Sequence, residues 1–274
     1  MHSLYTLAPL VFSAALFCAT PAAQAQDLPT KQPNLLSILR EQVKVGHNAA
    51  HARHEQGWPA AFEKAKHPYY YLALTSITGP NEAWYIIPYE SYEKMGDDFK
   101  RIDDDPVLTA EMDRLALGDA DHVSSVTALH AVARRDLSYG EFPDLAQVRL
   151  YEITIYNVRP GRERDFDDAA KAYVAARKRA GQKGGFRTYQ VLAGMSAPSY
   201  VVISSSKDFA EMDNGAEEHS KTMASATDEE KAAMSKGMKE AVLKEETNRY
   251  RVDPKQSYVS KETKDKAPDF WQPK

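Results

Sequence analysis

Cysteine is all but missing from this chain. Cys18 is the single thiol in 274 residues, and it sits inside an apolar N-terminal stretch. Residues 4–17 are largely apolar, and Ala23-Gln24-Ala25 sets small residues at −3 and −1 before Gln26. Residues 1–25 therefore read as a secretory signal peptide, although only the α-amine and His2 supply positive charge ahead of the apolar run. Phe17 is too large to precede a lipidated cysteine. A chain cleaved after Ala25 keeps no thiol, which excludes disulfides, thiolate nucleophiles and Cys-ligated metals. Long hydrophobic runs are also lacking. A membrane anchor needs about 20 apolar residues in succession, so the expected product is periplasmic or secreted, with no anchor after cleavage.

Charge of one sign is scarce too. Thirty-five Lys and Arg against 39 Asp and Glu leave a net charge of −4, with no basic block. Nucleic acid is an unsuitable partner, because phosphate binding depends on clustered Lys and Arg. There is no Gly-rich phosphate loop, no G-x-S-x-G elbow and no paired Cys motif. Asp103-Asp104-Asp105 lacks the spacing of a calcium loop and reads as a helix start.

What is present is a repetition. Leu36-Ser37-Ile38, Gly46, Gly79 and Trp84-Tyr85-Ile86 recur 115 positions later as Tyr151-Glu152-Ile153, Gly161, Gly194 and Ser199-Tyr200-Val201. The offset slips by two at Tyr92-Glu93-Lys94-Met95 against Phe209-Ala210-Glu211-Met212, and by about four at Ser138-Tyr139 against Ser257-Tyr258. A repeat on this scale governs the fold. With 43% hydrophobic and 27% charged residues, the chain has the make-up of a globular protein with room for two units of about 110 residues.

Each unit reads β-α-β-β-α-β. In the first, a strand over 36–45 leads through Gly46 into a helix over 47–66 that bends at Pro59. Strands follow over 69–77 and 82–87, stopped or held at an edge by Pro88. A helical region starts after Ser91, and a strand over 126–134 closes the unit. In the second, 148–158 alternates cleanly, with Tyr151, Ile153 and Ile155 on one face. A helix runs to about 180, strands cover 186–192 and 200–203, and Thr227-Asp228-Glu229-Glu230 caps a helix to about 245. A strand over 248–252 ends it. The domains are then 35–135 and 148–259, joined by a linker at 136–147, with a mobile lead-in over 27–34 and a flexible tail at 260–274. This order is the ferredoxin-like one. The fold class is α+β: two tandem ferredoxin-like repeats whose sheets meet as a pseudo-symmetric barrel.

With its strand-to-helix turns at Val45-Gly46 and Pro160-Gly161, and Gly79-Pro80-Asn81-Glu82-Ala83-Trp84-Tyr85 between the middle strands, the chain resembles the dimeric α/β-barrel superfamily. Within it, the similarity is to NIPSNAP-like and EthD-like proteins. That resemblance implies a cavity within the barrel or between sheet and helices. Its members include monooxygenases, isomerases, haem enzymes and proteins without known activity, so fold does not give function. A homo-oligomer stays open.

Two sets of residues are candidates for chemistry. His47, His51, His54 and Trp58 share one helical face. Two imidazoles a turn apart can bind a divalent metal or act as acid and base, and Glu55 adjoins them. An imidazole at a helix–sheet boundary also often only packs and makes one hydrogen bond; cofactor, metal and catalytic role all remain open at this point. The repeat puts Phe166, Ala169 and Tyr173 against His51, His54 and Trp58. The second set is aromatic: Trp58, Tyr71, Trp84 and Tyr85 suit a small apolar or aromatic ligand, or core and cross-strand packing. Two functions follow. One is an exported NIPSNAP-like protein that binds such a molecule. The other is a small-molecule enzyme, either cofactor-independent (monooxygenase or isomerase) or haem-dependent, that uses His51 or His54.

Overall fold

The structure, a computed structural model, describes residues 27–272. The signal peptide and Cys18 lie outside the described residues. Eight strands form the frame: β1 (Leu35–Val43), β2 (Leu72–Ser76), β3 (Glu82–Tyr89), β4 (Val123–Ala133), β5 (Leu150–Val158), β6 (Phe186–Ala193), β7 (Ser199–Ser206) and β8 (Val242–Val252). They pair antiparallel throughout and close into a barrel in the order β1-β3-β2-β8-β5-β7-β6-β4. Closure leaves no free sheet edge to template aggregation. The first four strands thus lie in the order 4-1-3-2, and the last four in the order 8-5-7-6.

Alternation along the strands decides the two faces. Every strand sends residues into one interior core, among them Ile38, Leu74, Trp84, Leu129, Ile153 and Tyr250. Tyr151, Ile153 and Ile155 fall there together, as the pattern of β5 requires. The outer face is covered by helices: α1 (Asn48–His54), α2 (Gly57–Ala65), α3 (Tyr92–Asp103) and α4 (Pro106–Asp119) in the first half. The second half has α5 (Glu163–Arg179), α6 (Phe209–Asp213), α7 (Gly215–Ser225) and α8 (Asp228–Lys236). Gly46 and Gly161 turn from strand to helix with φ of +85° and +84°, a conformation that Gly adopts without steric cost.

Several boundaries differ from those read in the sequence, each for a local reason. The first helix is two, α1 and α2, separated at Glu55 and Gln56. Pro59 is the third residue of α2, where a helix needs no N–H donor. Pro88 lies inside β3, but β2 pairs with that strand only as far as Ile86, so one flank of β3 has no ladder at Pro88. The capping box at Thr227 does open α8. That helix ends at Lys236, and a π-turn (Gly237–Ala241) leads into β8. The charged residues Lys244, Glu245, Glu246 and Arg249 belong to a strand that pairs with β5 over its whole length, and several of them are exposed. Their mixed charge resembles a solvated helix because one face of β8 meets solvent.

The two ends of the described chain are held rather than loose. Leu28 and Gln32 are buried, and Gln32 Nε2 donates to Thr188 O at 3.1 Å. The segment read as a flexible tail forms α9 (Lys261–Lys266) and α10 (Pro268–Trp271). Trp271 is buried, and its indole N–H donates to Ala146 O at 3.0 Å. Its neighbour Phe270 carries the Arg149 guanidinium 3.7 Å above its ring. The segment is rich in Lys and contains proline, yet a few apolar anchors suffice to dock it.

Candidate functional site

In the first half, the space between helices and barrel is filled by a buried polar cluster. Glu41 on β1 points outward from the barrel and is covered by α1, with 3% exposure. His51 on α1 is 2% exposed, and its Nε2 lies 2.9 Å from Glu41 Oε2 and 3.9 Å from Glu55 Oε1. His54, one turn on, faces α4 instead: its Nε2 donates to Leu115 O at 2.9 Å and stands 3.1 Å from Asp119 Oδ1. Gly118 permits that approach, since a Cβ there would overlap the His54 ring. His47 leaves the group and faces His122, with the two Nδ1 atoms 3.3 Å apart.

Glu55 is the centre of this cluster. It sits between the ends of α1 and α2 with 1% exposure, and its Oε1 has no hydrogen-bond partner among the described residues. Burial, the Asp119 carboxyl and the charge of Glu41 raise its pKa to about 10, so at neutral pH it carries a proton. Their own burial, followed by the neighbouring Glu55 and Glu41, pushes the phenols of Tyr71 and Tyr85 well above their ordinary value. Tyr85 donates to Gln256 Oε1 at 3.2 Å. Two donor groups, Glu41–His51–Glu55 and His54–Glu55–Asp119, each bring three ligand atoms within 4.8 Å of one another and share Glu55.

The aromatic candidates do not converge. Trp84 faces the barrel interior against Tyr250, with ring centroids 5.3 Å apart. Tyr85, its neighbour, faces outward with Tyr71 into a packed cluster with Tyr258 and Phe62. Trp58 packs beside Leu108 and Leu115 of α4.

Most of the open space lies in the other half, although Leu36, Leu72 and Ile86 of the first half also line it. A cavity of about 1830 Å³ runs under α5–α8 against the outer face of their strands and round toward the end of the barrel. Phe166 and Tyr173 of α5, Met212, Met223 and Met234 form much of its apolar wall. Phe209 and Met238, 62% and 43% exposed, stand among its lining residues. Arg187 also lines it and is 7% exposed. Its guanidinium donates to the carbonyls of Tyr139, Phe186 and Glu141. Among the described residues it has no carboxylate partner, and burial lowers its pKa. Arg177, by contrast, pairs with Glu218 at 2.8 Å. None of Trp58, Tyr71, Trp84, Tyr85, His51 or His54 lines this cavity. His219 is the imidazole that does, and it is exposed beside Tyr173. A haem in this cavity would find no buried axial imidazole in the lining, so the residues present do not fit that group.

Sequence reasoning missed Asp119, Arg187 and the pairing of Glu41 with His51. Glu41 did leave a trace, as the charged break in the alternation of β1; nothing in the local pattern marks Asp119 or Arg187.

No protein-family model matches the chain, and no curated protein matches it. Solved structures do. A candidate monooxygenase from Fusobacterium nucleatum aligns over 80% of this chain and 92% of its own, with 10% identity and a TM-score of 0.53. A candidate monooxygenase from Lactobacillus acidophilus covers 84% of this chain and 100% of its own, at 7% identity and a TM-score of 0.49. An anthrone oxidase-like protein covers 83% and 94%, at 12% identity and a TM-score of 0.49. What the Fusobacterium structure shares with this chain is the fold: an α+β protein built on a closed antiparallel barrel.

Proposed function

We propose that the chain is an exported, NIPSNAP-like binding protein. Its ligand would be a small molecule with an apolar or aromatic body and an acidic group, held in the second-half cavity. The observation that carries this reading is the cavity lining: aromatic and thioether side chains together with Arg187, a buried cation without a carboxylate. Ligand sites combine an apolar wall with a few polar groups that fix orientation, and Met-rich walls adapt to varied shapes. The volume exceeds the roughly 300–1,000 Å³ usual for such sites, so a small ligand occupies part of it. Export to the periplasm or medium rests on the N-terminal segment.

The reading also includes duplication. β1 and β5 are 115 positions apart at both ends, and a register shift at Gln42/Val43 recurs at Asn157/Val158. β4 and β8 match at an offset of 119. A pseudo-symmetric pair of ferredoxin-like units accounts for these offsets and for the repeated strand order.

The test uses 1-anilinonaphthalene-8-sulfonate, an aromatic body with an anionic group. The reading expects saturable fluorescence enhancement, weakened at least tenfold by Ala170→Trp, which fills the cavity from α5. Enhancement that persists unchanged in a folded Ala170→Trp protein would overturn it. The alternative, a small-molecule enzyme with His51 or His54 as base or ligand, has less support, because neither imidazole lines the cavity.

A further inference from the structure

We propose that Glu41, His51 and Glu55 form a site for one divalent transition-metal ion, buried between α1 and the outer face of β1, with Asp119 and His54 closing its far side. The site lies in the opposite half from the cavity and does not depend on ligand binding there.

Three observations meet at this point. The first is geometry. Ligand atoms that share a metal at bond lengths of about 2.0–2.2 Å stand roughly 3.0–3.4 Å apart. His51 Nε2 brackets that spacing, at 2.9 Å from Glu41 Oε2 and 3.9 Å from Glu55 Oε1, so small rotations of two side chains bring all three into coordination. The second is a buried oxygen without a partner. Glu55 is 1% exposed and its Oε1 has no partner among the described residues. Buried polar atoms are rarely left so, and here the atom belongs to one of the three-donor groups. The third is charge. Glu41, Glu55 and Asp119 are all at least nine-tenths buried, and among the described residues no Lys or Arg pairs with any of them; the nitrogens close to them are those of His51 and His54. A dication would bring positive charge to carboxyl groups that no Lys or Arg among the described residues reaches, and its binding would release the proton that Glu55 carries.

The donor set fixes the class of ion. One imidazole and two carboxylates without sulfur suit Zn²⁺, Mn²⁺, Fe²⁺ or Co²⁺ rather than Cu⁺. Three protein ligands leave a coordination position for water or for Asp119, which lies with Glu55 and His54 in the adjoining donor group. His54 is bound to Leu115 O through Nε2, so it steadies Asp119 from outside the ion's coordination.

The experiment is a titration of the chelator-stripped, untagged full-length protein with Co²⁺ and Zn²⁺. Binding is followed by calorimetry and by Co²⁺ visible absorption. The proposal expects one saturable equivalent, d–d bands of a mixed N/O site and a rise in Tm on Zn²⁺ addition. Glu55→Gln and His51→Gln should each weaken binding at least tenfold, and His47→Ala/His122→Ala should leave it unchanged. Circular dichroism establishes that the variants fold. Should one of them fail to fold, the other, together with the wild-type Co²⁺ spectrum, decides. No saturable binding by the wild type, binding unchanged in a folded Glu55→Gln or His51→Gln protein, or loss confined to the His47/His122 variant would each overturn the proposal.

Discussion

The two halves of the barrel carry the same strand order, yet they use the space beneath their helices in opposite ways. In the first half that space is occupied by Glu41, His51, Glu55 and Tyr85. At the positions 115 residues later stand Tyr156, Phe166, Ala170 and Tyr200. Phe166 and Tyr200 stack with ring centroids 4.4 Å apart, and Ala170, where the first half has its most buried carboxyl, leaves room that the cavity takes up. The helix-to-strand approach shows the same contrast. Gly118 faces the His54 ring, whereas Gly237, at the offset of 119 that relates β4 to β8, faces Ala169 and the Asp165 carbonyl. One scaffold thus holds a dense polar cluster on one side and an apolar crevice on the other. The difference comes from a handful of positions on the helices and on the strands beneath them.

That comparison can be broken by exchanging its terms. The largest effect is expected at Gly237, with Gly118 as its comparison. A methyl at 237 meets a Cβ and a backbone carbonyl, which cannot swing away, whereas at 118 it meets only the end of a side chain. Gly237→Ala should cost about 3 kcal/mol and Gly118→Ala about 1 kcal/mol, the range of overpacking effects; urea unfolding measures both. Equal costs would mean that the two contacts are alike.

The next effect concerns Glu55 in the metal-free protein. Its folded pKa of about 10 lies above the unfolded value, so folding favours the protonated carboxyl. The stability it contributes is complete below about pH 4 and is lost as pH rises toward 10. Glu55→Gln keeps a neutral group there. It should flatten the fall in stability between pH 5 and pH 9 and stabilise the protein at pH 8 by on the order of 2 kcal/mol. Unfolding midpoints across that range check it. A wild-type profile that is already flat would remove the buried acid from the account.

Converting Ala170 to Glu, the residue that stands 115 positions earlier, should weaken anilinonaphthalene sulfonate binding about tenfold by placing like charge and bulk in the crevice. Fluorescence titration reads this. The smallest effect belongs to the exposed lining residues. Phe209→Ala and Met238→Ala should each weaken binding a few-fold and change stability by no more than about 0.5 kcal/mol, as is usual for exposed positions.

How much of this could be seen in the sequence depended on range. Periodicity within β5, the capping box at Thr227 and the glycines at 46 and 161 are local signals, and each names its own element. The helical face carrying His47, His51 and His54 was equally legible. Its division was not: His51 turns to Glu41, His54 to α4 and His47 to His122, because each imidazole answers to a partner 10 to 75 residues away. The aromatic residues diverge for a related reason. Trp84 and Tyr85 are adjacent in sequence and on opposite sides of the barrel wall, and crowding along a strand says nothing of whether a helix closes over it. The crevice depends on what is small, Ala169 and Ala170, and small residues leave no mark until the opposing helices α7 and α8 are placed.

Hydrogen exchange with and without saturating anilinonaphthalene sulfonate tests most directly that the halves divide filled space from open space. The account predicts slowed exchange centred on α5–α8, β6 and β7, with amides of α1–α4 unchanged. Protection centred on α1–α4, or shared evenly between the halves, would contradict it.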